Sequence, residues 1–268
     1  MTMTSNLTAE TDEVLVMDSV TKEFTMGGIL SRKKHRAVDD VSLTLRKNQV
    51  LGLVGESGSG KSTIGRIAIG LLSPTEGSVA VLDQDLDMMS TKELRSYRKN
   101  MQMIFQDSSN SLNPRMTLQE LLEEPMRVQG LSDRDERSRR ARRLADEVSL
   151  AESWLTRLPH EFSGGQRQRI SIARALALEP TIIVADEPVS ALDVSVQATV
   201  LNLLKDIQEE RELAMIFVSH DMAVVEFMAD DVAVLYKGAL VEQGPAKRIF
   251  AKPEEEYTKK LLAAAPSL

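Results

Sequence analysis

An apolar run, Val50-Leu51-Gly52-Leu53-Val54, leads into Gly55-Glu56-Ser57-Gly58-Ser59-Gly60-Lys61-Ser62-Thr63, and Ile64 to Leu72 follows with helical character. A strand, a glycine loop and a helix in that order form the context of a phosphate site. The glycines let the backbone curl until successive N–H groups point inward, and the helix N-terminus adds positive potential. Lys61 is then placed to reach β- and γ-phosphates, and the Ser62 hydroxyl to ligate Mg²⁺. Gly55, Gly58 and Gly60 at this spacing, closed by Lys-Ser-Thr, set the stretch apart from a merely flexible Gly/Ser loop. The pattern implies a nucleoside triphosphate site.

A chain of 268 residues can bury a sizeable core, as one large domain or a core with a subdomain. No apolar run approaches the roughly 20 residues that span a bilayer, so any membrane role is expected to be peripheral. Met1 to Thr11 is polar, lacks the apolar core of a signal peptide, and reads as a frayed tail. Cysteine is absent, which excludes disulfides, thiolate metal sites and cysteine-ligated iron–sulfur clusters and fits a cytoplasmic location. The net charge of −7 disfavours bulk attraction to nucleic acid. Two basic clusters, Arg32-Lys33-Lys34-His35-Arg36 and Arg137 to Arg143, read as a solvated loop and a solvated helix face. His35, His160 and His220 lie too far apart for a metal-ligand spacing.

Val14 to Met17 and Val41 to Leu45 read as strands, with Thr25 to Arg36 as a basic, Gly-bearing loop between them. Lys47-Asn48-Gln49 makes a tight turn into the strand before the phosphate loop. Beyond the first helix come a turn at Ser73 to Gly77 and strands at Ser78 to Leu82 and Gln102 to Phe105. A loop from Gln106 to Arg115 follows. From Thr117 to about Leu158 the pattern becomes charged, amphipathic helix, with apolar faces at Leu118, Leu121, Leu122, Leu144, Val148 and Leu150. Strand-like runs resume at Thr181 to Ala185, Ala214 to Val218 and Val232 to Tyr236, alternating with helical Ser195 to Glu210 and Met222 to Met228. The alternation predicts an α/β fold, a largely parallel sheet wrapped by helices with the helical segment inserted.

Asp186-Glu187 closes one apolar run, which places two carboxylates at a strand's C-terminal end, where open α/β sheets bind ligands. Asp186 is the expected holder of the Mg²⁺ shell and Glu187 the expected base or positioner for an attacking water. Ser163-Gly164-Gly165-Gln166 opens an amphipathic helix carrying Ile170, Ile172, Ala173 and Leu176, and forms a second anion-ready N-terminus. One nucleotide does not need two such ends. The second is inferred to complete a different nucleotide site, most simply across a dimer interface.

These motifs, taken in order, resemble the ATP-binding subunits of ABC transporters along nearly the whole chain. The order runs through the phosphate loop Gly55 to Thr63, Gln106, and the signature Phe162 to Gln166. Asp186-Glu187, Ser190-Ala191-Leu192-Asp193 and Ser219-His220-Asp221 complete it. The resemblance implies an α/β fold of the P-loop NTPase (RecA-like) type, with an antiparallel β subdomain and an inserted α-helical subdomain. It implies a tail at 1–12, an ATPase domain at 13–245 with the helical subdomain at about 107–160, and a C-terminal extension at 246–268. ATP and Mg²⁺ are the implied ligands. Residues 55–63 would hold the phosphates, Ser62, Gln106 and Asp186 the metal, and Phe24 would stack on adenine. Lys61, Gln106, Glu187 and His220 would form the catalytic set, His220 meeting the γ-phosphate. Ser163 to Gln166 would act on the partner's ATP, and Ser190 to Asp193 would form a dimer-interface loop.

Within the family the chain resembles the oligopeptide/dipeptide/nickel importer branch, and there the second of its two ATPase subunits. Phe105-Gln106-Asp107, Ser111 to Met116, Pro159 to Gln166, Glu187 to Gln197 and the tail Tyr257 to Pro266 carry this. The implied role is ATP hydrolysis that energises import of peptides or a similar small solute, from the cytoplasmic face of the membrane. Implied partners are two membrane permeases, a second related ATPase subunit and, indirectly, an extracytoplasmic solute-binding protein, with no nucleic acid. The rival readings are a soluble ABC subunit of a multi-enzyme complex of the carbon–phosphorus lyase type, and an ABC ATPase acting on DNA or ribosomes. The cargo, and the choice between homodimer and heterodimer, stay open. Asn48-Gln49 replaces the family's usual Gly-Glu, and Asn tolerates the left-handed turn. Glu255-Glu256 replaces a usual His-Pro, which leaves the tail's contacts open.

Overall fold

The computed structural model describes residues 12–26, 33–106 and 111–264, so the expected tail at Met1 to Thr11 lies outside them. In chain order the strands are β1 (Glu13–Met26), β2 (Lys33–Arg46), β3 (Val50–Val54), β4 (Glu76–Val81) and β5 (Gln84–Asp85), then β6 (Met101–Ile104), β7 (Ile182–Asp186), β8 (Ala214–Val218), β9 (Asp231–Tyr236) and β10 (Ala239–Pro245). They form a four-stranded antiparallel sheet, β2-β1-β4-β5, and a six-stranded sheet, β10-β9-β3-β8-β7-β6. The second is parallel from β9 to β6, with β10 antiparallel at its edge.

The apolar runs of β3, β7 and β8 are unbroken because these strands are covered on both faces. Alternate side chains point to opposite faces, and two cores result. Val50, Val54, Ile183, Ala185, Met215 and Phe217 join one core with the helices. Leu51, Leu53, Ile182, Val184, Ile216 and Val218 join the other, with the antiparallel sheet and the first helix. The large sheet is therefore the middle layer of three.

Helices α1 (Lys61–Ala68) and α2 (Thr91–Tyr97) belong to the antiparallel side. On the other face lie α3 (Leu118–Val128), α4 (Arg134–Glu147), α5 (Gly164–Leu176), α6 (Val194–Glu210) and α7 (Met222–Met228). Two short helices, α8 (Ala246–Ala251) and α9 (Glu256–Ala263), complete the described chain. Capping boxes at Ser90 and Thr117 and an Asp133 cap fix where α2, α3 and α4 begin. Leu118, Leu121, Leu122 and Leu144 share one apolar cluster with Val50 and Phe217 of the sheet, so the helical segment is packed continuously onto the core. Among the described residues no helix is long and apolar enough to cross a membrane.

The expected loop at Thr25 to Arg36 needs correction. β1 and β2 are 14-residue strands, paired in unbroken register from Glu23–Arg36 out to Met26–Lys33, with 27–32 outside the described residues. Charge rather than apolar alternation holds this part: Lys34 and Arg36 reach Glu23 at 2.8 and 3.2 Å. The face at Arg137 to Arg143 is also less free than expected. Arg137 donates to the Leu131 and Ser132 carbonyls, and Arg139 and Arg140 pair with Glu136 at 2.8 and 2.7 Å. Asn48 does take the left-handed turn, with φ of 55°, and its side-chain oxygen accepts from Gln208 at 2.9 Å.

Candidate active site

The parallel register brings the C-terminal ends of β3, β8, β7 and β6 to one edge of the sheet. Gly55, Ser219-His220, Asp186-Glu187 and Phe105-Gln106 all sit at those ends, so residues more than a hundred positions apart meet there. A cavity of about 560 Å³ opens at this edge, lined by Ser57, Gly58, Gly60, Lys61, Ser62 and Thr63 and, facing them, Gln106, Glu187 and His220. Phe24, expected as the base-stacking aromatic, also lines it, about a third exposed.

Gly60 is the N-cap of α1 at φ 105° and carries no side-chain cap. A Cβ there would stand 2.4 Å from the Ala37 carbonyl oxygen, so only glycine fits both the angle and the space. The first α1 amides are consequently left for a ligand. The buried Lys61 ammonium donates to the Gly55 and Glu56 carbonyls at 2.6 and 2.9 Å. Burial holds its pKa below the ordinary lysine value, against the pull of Glu187 and Asp186. A phosphate would favour the charged form.

Asp186, also buried, accepts from the Ser62 hydroxyl at 2.7 Å. Burial pushes its carboxyl above the ordinary range, and Ser62 opposes this. A carboxylate and a hydroxyl on a phosphate-binding loop fit Mg²⁺, which takes hard oxygens from one or two side chains and the rest from phosphate and water. Glu187 lies just past the strand in a left-handed backbone conformation at φ 48°, its N–H bonded to the Val218 carbonyl at 2.9 Å. Such backbone is costly in a non-glycine residue and is over-represented at functional sites. Its two carboxylate oxygens are held separately. Gln106 Nε2 donates to Oε2 at 2.9 Å, and His220 Nδ1 stands 3.2 Å from Oε1.

Ser190 joins this group: its hydroxyl donates to the Glu187 carbonyl at 3.2 Å and lies 3.4 Å from Gln106 Nε2. Ala191 is exposed, Leu192 packs against the large core, and Asp193 is the N-cap of α6. The signature residues are elsewhere, and none of Ser163 to Gln166 lines the cavity. Ser163 caps α5 in a reciprocal box: its N–H donates to Gln166 Oε1 at 2.9 Å, and Gln166 N–H donates to its hydroxyl at 3.3 Å. Trp154, edge-on to Phe162 at 5.9 Å, steadies the segment that leads into it.

Two cavity residues escaped the sequence reading, His35 and Ala37. His35 is paired directly with Phe24 across β1 and β2. The β1–β2 pairing is the signal that places His35 opposite Phe24.

The family model described as ABC transporter matches residues 38–190. The chain belongs to the ABC transporter family. It is 47% identical over 262 residues to the oligopeptide transport ATP-binding protein AppF of Bacillus subtilis, covering 96% of this chain and 80% of AppF. It is 48% identical over 232 residues to the oligopeptide transport ATP-binding protein OppF of Lactococcus lactis, covering 87% and 73% of the two chains. Its fold is similar to the dimeric, post-hydrolysis structure of the ATP-binding cassette MJ0796 bound to ADP and Pi. There the TM-score is 0.77 at 32% identity, over 87% of this chain and 98% of that one. As an ABC ATPase the chain binds ATP and hydrolyses it, and the three-layer architecture is that of the family's cassettes.

Proposed function

We propose that this ABC ATPase energises the import of peptides or a chemically similar small solute, working as one of two ATPase subunits beneath a membrane permease. The observation that carries the site assignment is the convergence of Gln106, Glu187 and His220 opposite the phosphate loop in one cavity. The relatives named for oligopeptide transport support the cargo class.

In this reading ATP lies with its base against Phe24 and its phosphates on the amides of 58–63. Ser62, Gln106 and Asp186 would hold Mg²⁺, which when bound would supply charge stabilisation to the phosphates. Lys61 keeps its hold on the Gly55 and Glu56 carbonyls and directs its remaining N–H to phosphate oxygen. Glu187, oriented from both sides by Gln106 and His220, positions and polarises the water for in-line attack, and His220 steadies the γ-phosphate. Catalysis is positioning and electrostatics. Ser163 to Gln166 of a second subunit would close over the nucleotide, head to tail, with Ser190 to Asp193 at the seam. ATP then favours the closed pair and hydrolysis the open one.

The permease contact is proposed at a groove of about 360 Å³ between β6, α3 and α5. Its rim carries Leu71, Phe105 and Val128, three of the exposed large apolar side chains, and Phe105 adjoins Gln106. Motion of a permease segment there would reach Gln106 directly.

Gentle detergent extraction from native membranes, followed by identification of what co-purifies, tests this. Two multi-span permeases are expected to accompany the chain. Recovery only with soluble enzymes would overturn the importer reading while leaving the ATPase intact.

A further inference from the structure

The C-terminal extension reaches the phosphate loop. Glu56 N–H donates to the Tyr257 hydroxyl at 3.0 Å, across 201 positions of sequence. That N–H belongs to the peptide unit whose carbonyl, on Gly55, accepts the Lys61 ammonium at 2.6 Å. One peptide plane is thus held from both ends, by the loop's lysine on one side and α9 on the other. Planes beside glycine turn readily because φ and ψ there are little restricted, and Gly55 stands at φ 145°. Turning this plane would withdraw the carbonyl that Lys61 rests on.

The tyrosine is itself well fixed. Its ring lies on Tyr236 with centroids 4.2 Å apart, and Tyr236 ends β9, the neighbour of β3. Helix α9 has an independent anchor: the buried Glu242 of β10 accepts from the Glu254 and Glu255 amides at 2.9 and 3.2 Å. Arg248 bridges Glu242 and Glu254, and Leu261 and Leu262 pack on the large core. Burial pushes the phenol above its ordinary pKa, and the hydrogen bond from the Glu56 amide opposes this. The Glu242 contacts hold the helix at points other than the hydroxyl, which reaches the loop.

We propose that Tyr257 is a positioning residue for ATP binding: it fixes the Gly55–Glu56 peptide plane and, through it, the resting place of Lys61. The proposal rests on residues 55–63 taking the nucleotide's phosphates. A loop held in its binding form in advance binds more tightly than one that is only partly so populated. The coupling is reciprocal, so bound nucleotide also steadies α9.

Tyr257→Phe keeps the ring and removes only the oxygen. The ATP dissociation constant and KM are expected to rise about fivefold, the scale of one hydrogen bond, with kcat at saturation within about twofold. Hydrogen exchange is expected to slow across 256–263 when ATP binds the wild type and to slow less in the variant. Equal ATP affinity in the two proteins, or a fall in kcat at constant KM, would overturn the proposal. So would α9 exchange in the wild type that ignores ATP. Lys61→Ala serves as the control. If the wild type bound no better than that control, the nucleotide reading would fail and take this proposal with it. If it binds and Tyr257→Phe binds equally, this proposal alone fails.

Discussion

Helices α1 and α5 both carry glycine at their N-terminal end, Gly60 as the cap of α1 and Gly164 as the first residue of α5, yet the two ends are built differently. At α1 the cap is a left-handed glycine with no side chain, and the first amides open into a cavity beside two buried charges, Lys61 and Asp186. At α5 the chain caps itself, Ser163 and Gln166 satisfying each other's backbone. The first end is unfinished without a ligand. The second stands alone in one chain, and no side chain among the described residues caps its Gly164 and Gly165 amides. The proposed site, in which one end binds and the other closes, asks for that pair of designs, supplied by different subunits.

Glu187→Gln should give the largest effect, about a 10³-fold loss of turnover with ATP binding kept, checked by phosphate release and nucleotide titration. Undiminished hydrolysis would remove Glu187 from the mechanism. Gly164→Asp separates the two helix ends. A Cβ there meets only Leu192 at an ordinary 3.4 Å, whereas one on Gly165 would run into Val196 at 2.3 Å. A carboxylate at 164 should therefore leave the fold and single-chain ATP affinity intact while lowering turnover about 100-fold by repelling phosphate. Weakened ATP binding by the isolated variant would break the comparison.

Smaller effects concern stability. Burial raises the folded-state pKa of Asp186 above its unfolded value, so its ionised form opposes folding near neutral pH. Asp186→Asn, still able to accept from Ser62, should raise the melting temperature of the nucleotide-free chain by about 2 °C while impairing Mg²⁺-dependent turnover. A lower melting temperature would mean the carboxylate is stabilising. Ser163→Ala removes the α5 cap, worth about 1 kcal/mol, and should lower the melting temperature by about 2 °C. No change would show the box to be idle.

Legibility in the sequence followed burial. β3, β7 and β8 were readable because a strand covered on both faces needs an unbroken apolar run, and the site residues follow such runs at fixed offsets. The outer parts of β1 and β2 were not, because ion pairs to Glu23 replace the apolar alternation there; the same blindness hid His35. β10, α8 and α9 were also missed as elements. Their burial is uneven along the chain, and their key anchor, Glu242, is a carboxylate whose partners are backbone amides. No local pattern announces that Tyr257 will meet Glu56. Tertiary packing alone brings them together.

A second subunit's signature is proposed to complete the nucleotide site. Mass measurement by light scattering on Glu187→Gln, with and without Mg·ATP, tests it most directly when repeated with Gly164→Asp added. The expected result is doubling of mass with Mg·ATP in the single variant and an ATP-bound monomer in the double variant. A single variant that binds ATP and stays monomeric, or a double variant that still pairs, would rule out a site shared between two subunits.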